Sequence, residues 1–250
     1  MDLGLADRVF LVTGGSRGLG RATAEILVAE GARVVLSGRD PETVTRTATE
    51  LGSDRALGLA VDNTDARAAE RLIATAVAKF GRLDGALLST GGPVAGSVAS
   101  LTDQQWRTAF ESVFLGVVRL ARAVAAHAGA GSSLALVLSS SVAAPISGLS
   151  LSNGLRPGLA GLTKDMAGEF GPRGLRVNAL LPGRIETDRI RDLDAHAGGP
   201  ATRRSTAAIP LGRSGRPEEF GRVAAFVLSP AASYVHGALL AVDGGSTRSL

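Results

Sequence analysis

Cysteine is absent from this chain of 250 residues, and aromatic residues and lysine are scarce. Without cysteine there is no disulfide, no thiolate metal site and no cysteine nucleophile. One tryptophan and one tyrosine are present, and no basic helix or aromatic platform of the kind that binds nucleic acid occurs, so we expect no nucleic-acid partner. Lys79 and Lys164 are the only lysines, so the formal charge of +4 comes from arginine.

The sequence also lacks a hydrophobic run long enough to span a bilayer, and residues 1–8 do not form a charged and then apolar leader. We therefore expect a cytoplasmic protein with no membrane partner. Hydrophobic residues at 45% and 33 glycines suit buried strands joined by tight turns, within one α/β domain. The three histidines are far apart in the pattern and predict no metal site.

Residues 9–20, VFLVTGGSRGLG, carry the clearest chemical signal. The apolar run at their start predicts a strand buried on both faces, and the residues after Gly20 have the periodicity of a helix. Glycines in such a turn let the backbone approach a pyrophosphate, and the following helix N-terminus favours an anion. Flexible turn glycines are the alternative. The loop residues predicted to bind a dinucleotide are Gly14, Ser16, Arg17, Gly18, Leu19 and Gly20.

The second predicted strand, 33–36, is followed by Ser37-Gly38-Arg39. In NAD-binding folds an acidic residue at this place holds the ribose hydroxyls. Here Gly38 takes that place, and the guanidinium of Arg39 favours the 2′-phosphate of NADP(H) by its charge and its fork of donors. Arg17 would flank the same phosphate. Two solvated arginines are the alternative.

The loop spacing Thr-Gly-x-x-x-Gly-x-Gly resembles that of the classical short-chain dehydrogenase/reductase family, in particular its 3-oxoacyl-ACP reductase-like members. Segments ending in Val242-Asp243-Gly244-Gly245 extend the resemblance over nearly the whole chain. It implies one domain over residues 1–250, a Rossmann-type doubly wound parallel sheet of seven strands in a three-layer αβα sandwich. It also implies a homotetramer or homodimer.

The resemblance implies further contacts with the nicotinamide cofactor. Asp62, with Asn63 beside it, would contact the adenine, although a helix cap is the alternative for Asp62. The fourth predicted strand, 83–88, is followed by Ser89-Thr90-Gly91-Gly92, where the family usually has Asn-Asn-Ala-Gly. Ser89 and Gly91 still permit close approach, but the bracing amides are missing. The nicotinamide amide and a phosphate would be held by Pro182, Gly183, Ile185 and Thr187, with a plain turn as the alternative.

The family's Tyr-x-x-x-Lys motif does not occur in this sequence. Residues 158–164, GLAGLTK, resemble the family segment that starts two residues after the motif, and counting back places Ser152 at its tyrosine and Arg156 at its lysine. A serine hydroxyl is far less acidic than a phenol of pKa about 10, so Ser152 is a poor general acid without a relaying water. Arg156 keeps the positive charge and would stabilise an oxyanion and hold the nicotinamide ribose, but it does not share a proton.

Two other family positions are altered or ambiguous. At the end of the fifth predicted strand, 134–138, the segment SSSVAA selects Ser141 as the substrate-orienting serine, whereas counting back thirteen residues from Ser152 selects Ser139. Ser140 lies between them, and turn chemistry is the alternative for the whole serine run. Val113, in a predicted helix over 106–127, replaces an asparagine that holds a water in the family's proton relay.

The C-terminal half yields two further expectations. Because Pro157 is tolerated only in a first helical turn, we expect its helix to begin near Asn153 or Gly154, with Ser152 at its mouth. Residues 188–210 correspond to the family's substrate lid. Arginines in and near this lid would meet an acidic substrate or an acyl-carrier phosphopantetheine, unless they form a solvated face: Arg184, Arg189, Arg191, Arg203 and Arg204.

These patterns predict an NADP(H)-dependent carbonyl reductase or alcohol dehydrogenase with a small-molecule substrate. Ser141 and Ser152 would orient the carbonyl, Arg156 would stabilise the oxyanion, and the proton would arrive through water. The alternative is an NADP(H)-binding relative without oxidoreductase activity, serving as a sensor or partner subunit. A lyase or dehalogenase is a third hypothesis, although such relatives usually keep the tyrosine and lose the glycine loop.

Overall fold

A computed structural model describes residues 2–197 and 206–248 of the chain. One sheet contains seven parallel strands in the order β3-β2-β1-β4-β5-β6-β7, so the predicted Rossmann-type fold is confirmed. The strands are β1 Val9–Val12, β2 Arg33–Gly38, β3 Ala56–Ala60, β4 Gly85–Ser89, β5 Ser133–Val137, β6 Arg176–Pro182 and β7 Leu239–Val242.

Helices cover both faces of this sheet in a three-layer sandwich. The core on one face contains residues of α3, α5 and α6, and the core on the other contains residues of α1, α2 and α8. In chain order the helices are α1 Gly18–Ala29, α2 Pro41–Leu51, α3 Ala68–Phe80, α4 Asp103–Ala109, α5 Gly116–His127, α6 Ser150–Phe170, α7 Asp188–Ala197 and α8 Pro217–Leu228. No helix in the described ranges is both long and apolar enough to cross a membrane.

Alternate residues of the central strand enter the two cores, which explains its continuous apolar sequence. Val9 and Leu11 belong to one core, while Phe10 and Val12 belong to the other. Successive side chains of a strand point to opposite faces, so a strand covered on both sides needs apolar residues throughout.

The helix predicted over 106–127 is interrupted. Asp103–Ala109 forms α4, Phe110–Leu115 forms a π-helical stretch, and the α-helix resumes at Gly116 as α5. A Cβ at Gly116 would lie 2.6 Å from the carbonyl oxygen of Asn63, so this glycine lets the helix approach the loop after β3. The buried Val113 lies within the widened stretch.

Helix α6 begins at Ser150, so the expected start near Asn153 or Gly154 is wrong, and Pro157 lies inside the helix. The amide of Asn153 donates to the carbonyl of Leu149 before Pro157 is reached. The Asn153 side chain also accepts from the amide and donates to the carbonyl of Ile146. These bonds secure the first turn, which contains Ser152.

Candidate functional site

The candidate site lies at the carboxyl edge of the sheet, where the strand order reverses. Strand β1 pairs with β2 on one side and with β4 on the other. The chain therefore leaves β1 and β4 towards opposite faces of the sheet and opens a crevice between them, which is where ligands bind in open α/β sheets.

The glycine loop closes one side of this crevice. Gly14 and Gly18 have φ of +59° and +55°, a region that favours glycine. A Cβ at Gly20 would lie 2.3 Å from the carbonyl oxygen of Gly14, and one at Gly14 would lie 2.7 Å from that of Ser89. The loop therefore needs these glycines to fold against the start of α1.

Helix α1 offers its first amides to the crevice. The Arg17 side chain at its N-cap makes no capping hydrogen bond, and no acidic residue lies in its first turn. Since the first turn of a helix has amides without intrahelical acceptors, this end is suited to a phosphate.

Thr13 joins β1 to β4 beside the loop, a contact that motif matching missed. Its hydroxyl donates to the carbonyl of Ser89 at 3.0 Å and accepts from the Ser89 amide at 2.9 Å. These two bonds tie the carboxyl ends of β1 and β4 together. A threonine directly before the first glycine is the signal that would have indicated it.

At the opposite side of β1, two arginines lie next to a close contact between the Ser16 side chain and Gly38. A Cβ at Gly38 would lie 2.8 Å from Ser16 Oγ, so Arg17 and Arg39 follow two touching residues. Both arginines are exposed. Neither forms an ion pair with a described residue, whereas the nearby Arg21, Arg33 and Arg46 all do.

Asp62 is exposed and takes part in a local turn. Its Oδ1 accepts from the amide of Thr64 at 2.9 Å and from the Thr64 hydroxyl at 3.0 Å. Helix α3 begins only at Ala68. Asp62 and Asn63 thus follow β3 at the carboxyl edge of the sheet, and the Oδ1 atom of Asp62 is engaged in this turn.

Ser141 and Ser152 meet at the end of β5. Their hydroxyl oxygens lie 3.1 Å apart, and the two residues are only 2% and 7% exposed. Ser139 is used differently, because its hydroxyl accepts from the Ser141 amide and caps the 3-10 turn Ser140–Val142. Of the three consecutive serines, Ser141 is therefore the one bonded to Ser152.

Arg156 lies four residues after Ser152, on the same face of α6, and is 5% exposed. Its Nη1 donates to the carbonyls of Val137 at 2.9 Å and Leu138 at 2.8 Å. Burial, with a smaller contribution from the charge of Arg189, lowers the pKa of Arg156 to about 10, so the group is still charged at neutral pH. The guanidinium thus holds the strand end that carries Ser141, a bracing role that the sequence prediction did not include.

The segment after β6 crosses towards the glycine loop. The amide of Gly183 donates to the carbonyl of Val242. A Cβ at Gly183 would lie 2.6 Å from the Cβ of Asp243. Ile185 is buried, and Thr187 Cγ2 lies 3.6 Å from the Cβ position of Gly18. Pro182 ends the strand. Thr187 therefore lies beside the glycine loop, and the other three residues of the motif lead to it from the end of β6.

The arginines of the predicted lid have different partners. Arg184 pairs with Asp194, and Arg191 with Asp188. Arg189 instead donates from Nη2 to the carbonyl of Pro93 at 2.6 Å. Arg203, Arg204 and the rest of the segment 198–205 lie outside the described residues.

The crevice fits a nicotinamide dinucleotide. A Cβ at Gly91 would meet nothing within 4 Å, so there is open space directly after β4. This space lies between the amides of α1 and the serine pair at the end of β5. A pyrophosphate at α1 would leave the nicotinamide end of the molecule on the side of Ser141 and Ser152.

Seven parallel strands with a glycine loop at the switch point define a dinucleotide-binding α/β protein. The chain belongs to the classical short-chain dehydrogenase/reductase family, since residues 14–247 match the family described as Enoyl-(Acyl carrier protein) reductase. Its relatives are dehydrogenases and reductases, and nicotinamide cofactors are used in this family.

Individual relatives cover the chain almost completely. The cis-4-hydroxycyclohexanecarboxylate dehydrogenase of Sinomonas cyclohexanicum is 36% identical over 99% of both chains. The 3-oxoacyl-[acyl-carrier-protein] reductase of Salmonella typhimurium is 33% identical over 95% of this chain and 96% of that protein. The structure of L-sorbose reductase from Gluconobacter frateurii, complexed with NADPH and L-sorbose, has a TM-score of 0.90 at 28% identity and covers 100% of both chains.

Proposed function

We propose that the chain is an NADP(H)-dependent oxidoreductase that interconverts a small carbonyl compound and its alcohol. The hydrogen bond between Ser141 and Ser152 carries this proposal, because it places two buried hydroxyls together beside the dinucleotide crevice. A bound nicotinamide supplies or accepts the hydride. The chain's own residues orient the carbonyl and stabilise the developing charge.

The serine pair orients the substrate. When one hydroxyl donates to the other, the second is free to donate its own proton in a hydrogen bond to the carbonyl oxygen. Neither serine is acidic enough to transfer its own proton to the developing alkoxide. The proton that completes the alcohol therefore comes from water, which enters from the open side of the crevice.

Arg156 acts in two ways in this proposal. It fixes the end of β5 through the carbonyls of Val137 and Leu138, and thereby positions Ser141. Its buried charge also stabilises an alkoxide more strongly than it would in water, since the effective dielectric constant is lower.

The rate of NADPH oxidation tests the activity. A stopped-flow assay would use β-ketoacyl thioesters, plain ketones and 4-oxocyclohexanecarboxylate, the last because one relative acts on a hydroxycyclohexanecarboxylate. We expect Ser152→Ala to lower kcat about a hundredfold, the cost typical of removing one oxyanion donor. Ser150→Ala, in the same helical turn, is the control and should retain the rate.

The preference for NADP(H) is supported by Arg17 and Arg39. Fluorescence titration should show tighter binding of NADPH than of NADH. We expect Arg39→Ala to weaken NADPH binding by about tenfold and leave NADH unchanged, because only NADPH carries the 2′-phosphate. Arg33→Ala, at the other end of the same strand and paired with Asp7, is the matched control. Equal loss for both cofactors would contradict the assignment.

A second candidate function is NADP(H) binding without turnover, as in a sensor or partner subunit. The observation that favours it is the engagement of Arg156 Nη1 with two backbone carbonyls. If the double variant Ser152→Tyr, Arg156→Lys reduces ketones that the parent leaves untouched, this second function is supported.

Three broader features complete the proposal. Residues 1–250 form one domain, in which 188–210 serve as the substrate lid. The chain assembles as a homotetramer or homodimer. It acts in the cytoplasm on a small molecule. Light scattering after size-exclusion chromatography would measure the assembly. A monomer at micromolar concentration would contradict it.

A further inference from the structure

Arg189 has a charge that the described chain does not neutralise with an ion pair. Arg184, Arg191 and Arg213, all close to it in sequence, contact an acidic side chain. Arg189 is half-buried and forms no such pair with a described residue, although the charge of Asp192 favours its charged form. The undescribed segment 198–205, GGPATRRS, contains no acidic side chain.

Contacts with the loop after β4 position this guanidinium. A Cβ at Gly92 would lie 2.7 Å from Arg189 Nε, so the guanidinium lies close against the backbone of Gly92. Nη2 donates to the carbonyl of Pro93. This is the one hydrogen bond that Arg189 makes with the described residues, so further N–H groups of its planar fork are available to a ligand.

The position is on the reaction side of the crevice. The sheet order places β4 between β1, which leads into the glycine loop, and β5, which leads into Ser141. Arg189 lies over the loop that follows β4, and its charge is felt by the buried Arg156. Arg156 likewise has no carboxylate in contact among the described residues, so two cations without an ion pair lie at this end of the site.

Partly buried like charges are costly unless an anion joins them. An anion at this place would contact Arg189 directly and interact favourably with Arg156. It would also lie close to the carbonyl that the serine pair orients.

We propose that the substrate is a keto acid or hydroxy acid and that Arg189 binds its carboxylate. A carboxylate suits this place, because a planar guanidinium fixed on one side by Pro93 offers parallel donors that match two carboxylate oxygens. The identity of the reacting carbonyl rests on the proposed function, whereas the binding of the carboxylate is testable without turnover.

Titration calorimetry with two acid and amide pairs tests the inference: cyclohexanecarboxylate with its carboxamide, and butanoate with butanamide. In the protein saturated with NADPH, at least one acid should bind on the order of tenfold more tightly than its amide. Arg189→Gln should abolish that difference. Arg191→Gln, on the same helix but exposed and paired with Asp188, should preserve it. If neither acid binds better than its amide, the inference is overturned.

The cofactor pyrophosphate is the other possible source of the anion. In that case Arg189→Gln would weaken NADPH binding at least as much as acid binding, and the inference would be wrong. Steady-state assays with 4-oxocyclohexanecarboxylate and its methyl ester separate the two proposals. Arg189-dependent acid binding without any turnover would overturn the oxidoreductase alone, whereas reduction of neutral ketones with no advantage for acids would overturn the role of Arg189 alone.

Discussion

The two ends of the crevice are held together by different kinds of contact. At the glycine loop the contacts are between backbone atoms, and the Cβ positions of Gly14 and Gly20 fall within 2.7 Å and 2.3 Å of carbonyl oxygens. At the end of β5 the contacts are made by side chains, namely Ser141, Ser152 and Arg156. The glycine loop, residues 14–20, is a backbone cradle, meaning a loop held by contacts between backbone atoms, and it tolerates few residue types. The residues of a side-chain cluster can be exchanged one at a time.

Under the proposed function, this difference accounts for a glycine loop that keeps the family pattern and a catalytic end that departs from it. If Ser152 and Arg156 stand at the family's tyrosine and lysine positions, as we propose, the exchange changes the acid chemistry but leaves the sheet and the loop in place. The helix that carries both residues still begins with a secured first turn. Under the proposed function, cofactor binding and proton delivery are therefore expected to be separable in this fold, and variants at each end test that separation.

The largest expected effect is at Gly20. A methyl group there would collide with the Gly14 carbonyl, so Gly20→Ala should displace the loop and weaken NADPH binding by about a hundredfold, in line with a strain of about 1–3 kcal/mol. Fluorescence titration measures this. Gly168→Ala, in α6 with no atom within 4 Å of its Cβ position, is the control. Unchanged NADPH affinity in Gly20→Ala would show that the backbone contacts of the glycine loop do not determine cofactor binding.

The second prediction concerns Arg156. Arg156→Met should lower kcat about a hundredfold, because both the charge and the bracing of β5 are lost, while NADPH affinity changes far less than in Gly20→Ala. Arg156→Lys should recover part of the rate, since an ammonium still donates to the same carbonyls. Arg122→Met, exposed on α5, controls for the loss of a surface charge. If Arg156→Met weakens NADPH binding as strongly as Gly20→Ala does, the two ends of the crevice do not act separately in cofactor binding and catalysis.

Sequence reasoning was most successful where local chemistry decides the structure. Apolar runs between glycine turns predicted the central strands because those strands are buried on both faces. It was wrong about the start of α6, since the rule for Pro157 does not account for the bonds of Asn153 to Ile146. The π-helical stretch around Val113 was also missed, because its residues have ordinary helical periodicity.

Pairs that are distant in sequence could not be predicted from spacing. Counting left Ser139 and Ser141 as alternatives, and only the capping bond of Ser139 shows how the turn presents Ser141 to Ser152. Arg189 was one of five arginines that were all expected to meet an acidic substrate or an acyl-carrier phosphopantetheine. Its contact with Pro93 joins residues 96 positions apart, and no periodicity in the sequence reports such a pair.

The smallest expected effect lies between the two ends, at Thr13. Thr13→Val keeps the shape of this fully buried side chain but removes both bonds to Ser89. We expect a loss of about 1 kcal/mol in the free energy of unfolding, or about 2–4 °C in Tm. Thr49→Val, which removes an exposed hydroxyl bonded within α2, should change Tm less. NADPH affinity should fall only a few-fold, because the cradle is held mainly by its own backbone; a loss as large as in Gly20→Ala would show that the cradle depends on this one side chain.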